Sequence, residues 1–121
     1  MAHSIAKDNS ELVRLIVELR RAARSQKAAI WASAADQLER PRHRVTPVNV
    51  GHLDRLAHAD DTILVPGKLL SAGTLSKKLT VAAFSYSKEA RSKIHAAGGV
   101  AISVHDLLQV KPDGAGVRLF A

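Results

Sequence analysis

The densest grouping of chemistry-bearing side chains is Arg40, Arg42, His43 and Arg44, inside the stretch Leu38-Glu-Arg-Pro-Arg-His-Arg-Val45. A guanidinium presents a planar fork of N–H donors that matches two phosphate oxygens at once. Three such forks within five residues suit a surface of closely spaced phosphates. Pro41 forbids a helix through the group, because its ring carries no N–H and clashes with the preceding turn. Pro47 biases Thr46 toward an extended backbone. The expectation is a stiff, extended, cationic strap between two helical segments. The competing reading is a solvated basic loop, which a short charge run alone does not exclude.

The cations continue upstream. Arg20, Arg21, Arg24 and Lys27 bring the positive side chains between residues 20 and 44 to seven, against Asp36 and Glu39. That segment holds most of the chain's net charge of +7. An excess of this size on 121 residues points to a polyanionic partner, nucleic acid first. An anionic membrane is the competing polyanion. A basic membrane anchor carries large apolar side chains opposite its charges, and the strap has none. No apolar run approaches the length of a membrane span, and the start Met-Ala-His-Ser-Ile-Ala-Lys lacks the pattern of a secretion signal. The expectation is a soluble, cytoplasmic chain without a membrane partner. It has no cysteine, which excludes a disulfide scaffold, a thiolate zinc finger and thiol catalysis.

Spacing decides what the other groupings can do. Pro66-Gly67-Lys68 has the flavour of a phosphate loop, but the Walker pattern needs Gly where Thr62 stands and Ser or Thr where Leu69 stands. What survives is a glycine that lets backbone approach a phosphate and a point charge on Lys68; the alternative is a strand-ending turn with a solvated lysine. The histidines at 3, 43, 52, 58, 95 and 105 show no metal-ligand spacing. His43 stands apart, placed within the strap to stack on or hydrogen-bond RNA. Asp54 and His58 are four apart, a spacing open to an acid/base pair but better matched to a surface ion pair. No cofactor, metal or small-molecule substrate is expected. The lone Trp31 sits at helical spacing with Ala34, Ala35 and Leu38, which predicts burial over base stacking.

These groups need elements to hold them. Residues 1–8 read as a loose tail. Asn9 or Ser10 caps a first helix whose stripe is Leu12, Leu15, Ile16 and Leu19. A second helix runs from about Ala28 to Glu39, ended by Pro41. A third runs from Asn49, read as its cap, to His58. The second half changes character. Thr62–Val65 reads as a buried strand stopped by Pro66-Gly67, Ser71–Thr74 as a small-residue loop, and Leu79–Tyr86 as a strand. Ser87 caps a helix ended by Gly98-Gly99, Val100–Ile102 is a strand, and Ser103 caps a short helix holding Leu107 and Leu108. A turn at Lys111–Gly116 leads to a last strand, Val117–Phe120. The class is α/β, with N-terminal helices packed on a compact core of short strands alternating with helices. The connections are short, so residues 9–121 read as a single domain.

The strap stretch, with the following Val48-Asn-Val-Gly-His-Leu53, resembles the signature region of the large-subunit ribosomal protein family eighteen-e of archaea and eukaryotes. Val65-Pro-Gly-Lys68, Leu79-Thr-Val-Ala-Ala83 and Gly114-Ala-Gly-Val-Arg118 resemble it as well, in order, so the likeness covers about Asn9 to Phe120. The short length resembles the archaeal members. The resemblance implies the fold of bacterial large-subunit protein fifteen, binding to large-subunit ribosomal RNA beside neighbouring ribosomal proteins, and no enzymatic activity. It implies RNA-facing roles for Arg40, Arg42, His43, Arg44 and Asn49, and for Lys68 in its turn. It matches Arg20, Arg21 and Arg24 to a basic helix end. His52 departs from the family pattern, which favours Arg at that place.

The reading is therefore a structural constituent of the large ribosomal subunit, located in the cytoplasmic ribosome. Its cations neutralise phosphate where RNA segments approach one another. Two rivals stand beside it. A DNA-binding regulator would need its arginines on a recognition helix, and Pro41 and Pro47 bracket them instead. A small RNA-processing enzyme would need His43, His52 or Asp54 to converge in one cleft.

Overall fold

Ile63-Leu64-Val65 is apolar at every position, and a strand of that kind has to be covered on both faces. The structure, a computed structural model, describes residues 2–40 and 47–120, with side chains from Ser10 onward in those ranges. In chain order the elements are α1 (Ala2–Gln26), α2 (Ala29–Glu39), β1 (Val48–Asn49), α3 (Val50–Leu56), β2 (Thr62–Leu70), β3 (Thr80–Tyr86), α4 (Lys88–Ala96), β4 (Val100–Ser103), α5 (Val104–Val110) and β5 (Val117–Leu119). These five strands are all parallel, in the order β1-β2-β3-β4, with β5 also on β2. The α/β class follows as expected from alternating strands and helices.

Side-chain alternation along the strands divides the core into two layers. Ile63, Val65, Val81 and Ala83 face Val50 and Leu53 of α3 and Ala90 and Ile94 of α4. Leu64 and Ala82 point the other way, onto Leu15 and Leu19 of α1, Trp31, Ala34, Ala35 and Leu38 of α2, and Val104 and Leu107 of α5. The first two helices thus lie on one face of the sheet with α5, and α3 and α4 cover the other. The core is aliphatic apart from Trp31 and Phe120.

Local capping chemistry is where the sequence places it. Ser87 Oγ accepts the N–H of Ala90 at 3.1 Å, and Ser103 Oγ accepts that of Asp106 at 3.0 Å. At the end of α4, Gly98 adopts a left-handed φ of +85°. The N–H groups of Gly98 and Gly99 then return to the carbonyls of His95 and Ile94, each at 3.0 Å, which satisfies carbonyls the helix leaves open.

Four expectations change. The first helix begins at Ala2, well before the Asn9–Ser10 cap; residues 2–26 contain neither Gly nor Pro, so nothing interrupts the helical ladder. The third helix stops at Leu56 rather than His58. Residues 48–49, too few for a periodic signal, form a strand on Leu69 and Leu70. Most consequential, β2 does not stop at Pro66-Gly67. Val65 pairs with Ala83 and Lys68 with Ser85, so two residues of β2 oppose Phe84 alone. A bulge leaves an unpaired position, which is where a strand tolerates a residue without an N–H. β2 therefore serves as the hub: its first half carries β5 and its second half β1, on the same edge.

Tyr86, at the end of β3, fastens this sheet. Its hydroxyl accepts the N–H of Ala83 at 3.0 Å and lies against the carbonyl oxygens of Val81, at 2.7 Å, and Ile102. Burial pushes the phenol pKa up to about 12. The folded state keeps this proton between pH 10 and about 12, where the unfolded state releases it. Its contribution to stability is therefore complete below pH 10 and is lost as pH rises toward 12. Urea unfolding at pH 8 and pH 11.5 is expected to show this loss in the wild type. Tyr86→Phe is expected to be about 1–3 kcal/mol less stable at pH 8, from the unpaired backbone groups, and less sensitive to the alkaline step.

Candidate nucleic-acid interface

The chain leaves the described region at Arg40 and re-enters at Pro47, and both residues line one cleft. Arg40 is the extended residue that ends α2, its N–H bonded to the carbonyl of Gln37 at 3.3 Å. Pro66, Gly67 and Lys68 line the same cleft, beside Phe84. The bulge in β2 thus brings Lys68 to the place where the strap begins and ends. Arg40 and Lys68 are exposed and make no ion pair among the described residues. Arg42, His43 and Arg44 lie outside the described residues.

The other cations separate from this cleft. Arg20 reaches from α1 to two carboxylates on α2, with Nη2 at 3.0 Å from Asp36 Oδ1 and also bonded to Glu39. The bonds to Asp36 and Glu39 hold its pKa above the usual value. Arg20 is thereby a clamp between the helices, and it occupies both acids that lie between residues 20 and 44. Arg21, Arg24 and Lys27 are exposed. Lys27 ends α1 in the left-handed region, φ 51°, with the N–H of Ala28 returning to Ala23. Lys27 and Arg40 flank the 11 residues of α2 at opposite ends. A rise of about 1.5 Å per residue puts the two ends about 16 Å apart. The basic run thus follows the helix pair from Arg40 to Lys27, and Arg21, next to the clamp on Asp36 and Glu39, lies between those ends.

Asn49, half-buried, holds protein through its side-chain oxygen. It stands at the N-cap of α3, yet makes no cap bond; its Oδ1 accepts the N–H of Ala72 at 3.2 Å. The N–H of Gly51 bonds the carbonyl of Ala72 at 3.0 Å. The two backbones approach so closely that a Cβ on Gly73 would lie 2.7 Å from Gly51 Cα. Val48-Asn-Val-Gly51 is therefore built to dock the start of α3 on the 71–74 loop. His52 meets the ring of Phe120 edge-on, with centroids 5.9 Å apart.

Further polar residues, most of them without any signal in the sequence, are fasteners of the same kind. Asp54 accepts the N–H groups of Ser76, at 2.9 Å, and Lys77, at 3.3 Å; the Ser76 N–H leads in holding its carboxyl below the usual pKa. Lys77 Nζ donates to the carbonyl of Ala57 at 2.7 Å, closing the end of α3. Lys93 Nζ donates to the carbonyls of Ser71 and Gly73 at 2.6 and 2.7 Å. Arg118 bonds Asp61 and the carbonyl of Leu56 at 3.0 and 3.1 Å. These contacts span 20 or more residues, so no local pattern announces them. They also answer the acid/base question: Asp54 serves the 76–77 backbone, while the N–H of His58 donates to Asp61 at 2.8 Å. Among the described residues no cluster of potential metal ligands occurs, and no helix is long and apolar enough to cross a membrane.

The arrangement offers cations and a bulge-lined cleft on a sheet covered by helices, with Arg40 at the extended end of a helix rather than on a recognition face. Comparison with known proteins points the same way. Residues 30–102, from α2 past the cleft to β4, match the model of a family described as ribosomal proteins fifteen and eighteen-e of the 50S subunit and twenty-seven-A of the 60S subunit. The chain is 42% identical over 116 residues to "Large ribosomal subunit protein eL18" of Methanopyrus kandleri, covering 92% of this chain and 91% of the relative. It is 44% identical over 111 residues to the protein of that name in Pyrobaculum aerophilum, with 92% and 91% covered. For Haloarcula marismortui the values are 41% over 115 residues, with 95% and 98% covered. Identity at this level along nearly the full length of each relative carries the resemblance seen at the strap across the whole fold, and the chain belongs to this family of large-subunit ribosomal proteins.

Proposed function

We propose that this chain is a structural constituent of the large ribosomal subunit that binds ribosomal RNA through the Arg40–Arg44 strap and Lys68, with Arg21, Arg24 and Lys27 as a second point of contact. The observation that carries this reading is the cleft: both ends of the strap and the Pro-Gly-Lys bulge meet there, and among the described residues it is lined by cations and no acid. Cations spread along a helix pair over about 16 Å suit an RNA surface that offers several phosphates. Binding by backbone contact and shape follows, with sequence read mainly by the fold of the RNA. Neighbouring large-subunit proteins complete its surroundings in the ribosome.

A protein of this kind performs no turnover. Purified protein is expected to co-sediment with large subunits and to retain deproteinised large-subunit RNA on filters, with affinity falling steeply as salt rises. The bound RNA should remain intact, with or without added divalent metal. Cleavage that Asp54→Ala and His43→Ala together abolish, with binding kept, would favour an enzyme. Absence of any salt-dependent binding to the RNA would overturn the proposal.

A further inference from the structure

The cleft beside the strap holds groups that phosphate binding alone does not need. It encloses about 300 Å³ and is lined by Phe84, Pro47 and Pro66 as well as by Arg40 and Lys68. Phe84 is only partly buried: it packs against the core layer of α1 and α2, and the bulge at Pro66-Gly67 lies opposite it in the sheet. Gln37 adds an amide that can both donate and accept hydrogen bonds. Among the described residues no carboxylate lines the cleft, so the charge they give it is positive. Apolar walls, two side chains that can donate or accept, Gln37 and Ser85, and two rim cations are complementary to an anion with a flat apolar body that carries polar edges.

We infer that this cleft seats one unstacked nucleotide of the RNA, its base against Phe84 and its flanking phosphates on Arg40 and Lys68. The inference rests on the RNA-binding reading above and adds a base-binding subsite to it. RNA is the favoured source because the cleft opens where the strap begins and ends, so a nucleotide seated there lies on a strand already held by cations. Unpaired bases in loops and bulges are the parts of RNA that proteins stack on side chains. Gln37 tolerates more than one base, since its amide can pair with either a donor or an acceptor edge.

The test uses the full chain and deproteinised large-subunit RNA. Ultraviolet irradiation of the wild-type complex followed by mass spectrometry is expected to find a nucleotide attached at Phe84 or an adjoining cleft residue. Phe84→Leu is expected to weaken binding about tenfold, the loss of one base stack. The factor should be the same at low and moderate salt, because no phosphate contact is removed. Should Phe84→Leu fail to fold, Gln37→Ala, at a partly exposed helix position, takes its place with a smaller loss and the cross-link decides. If wild-type protein binds the RNA while both variants bind equally well and cross-links fall elsewhere, the cleft assignment fails and the RNA-binding reading stands. If wild-type protein does not bind the RNA, both fail. Free AMP or UMP held in the cleft and not displaced by the RNA would make it a mononucleotide site and overturn the assignment to RNA.

Discussion

Trp31→Ala is expected to lower the unfolding free energy by about 3–5 kcal/mol, measured by urea titration. Trp31 is 0% exposed, in the core layer that holds Leu15 and Leu19 of α1 and Leu64 of β2. It joins the helical half of the chain to the sheet, so truncation opens a cavity where the two halves meet. A second loss adds to the cavity. Trp31 Nε1 donates to the carbonyl of Pro112 at 2.9 Å, which fastens the turn before β5 to α2. Gly114 of that turn lies against the same ring: a Cβ there would be 3.6 Å from the indole and 2.7 Å from Ile30. Trp31→Phe separates the two terms. It keeps most of the apolar contact and leaves the carbonyl without its donor, for an expected loss of about 1–3 kcal/mol. Because Trp31 is the only tryptophan, its emission reports the site directly. Emission should be blue-shifted, poorly quenched by acrylamide and unchanged by RNA. Quenching by bound RNA, with wild-type stability in Trp31→Ala, would show a stacking residue instead.

Trp31 was legible because helical spacing alone put it with Ala34, Ala35 and Leu38. The caps at Ser87 and Ser103 and the double glycine after α4 were legible for a similar reason: their partners lie within a few residues. Errors arose where a distant partner decided the outcome. Pro66-Gly67 has the local chemistry of a stop, but β3 continues alongside, and a bulge opposite Phe84 absorbs the missing N–H. Asn49 has the chemistry of a cap, but Ala72 offers an N–H that competes for its side chain. Arg20 likewise has distant partners that no local pattern announces, since Asp36 and Glu39, one helix later, engage its guanidinium. The family was legible from contiguous motifs. The spread of the basic run along the helix pair was not, because it depends on how α1 packs against α2.

Replacing Arg40, Arg42 and Arg44 together with alanine is expected to weaken binding to large-subunit RNA on the order of a hundredfold at about 0.1 M salt. Each phosphate contact contributes nearly one unit to the slope of log affinity against log salt, so the triple variant should lose roughly two to three units. Its affinity should approach that of the wild type as salt rises, since the lost term is the one that salt suppresses. Stability should change little. Arg40 is exposed and forms no ion pair among the described residues, and charges of that kind contribute little to folding. Arg20→Ala supplies the contrast. Its guanidinium already satisfies Asp36 and Glu39 and bridges α1 to α2, so removal should affect the melting temperature slightly and the RNA salt slope hardly at all. Arg21→Ala with Arg24→Ala should reduce the slope by roughly a further one to two units, added to that of the strap, because these side chains stand on α1 and hold phosphates of their own. If the triple variant keeps the wild-type slope while Arg21 and Arg24 account for all of it, the strap is a solvated loop and the RNA contact lies on α1.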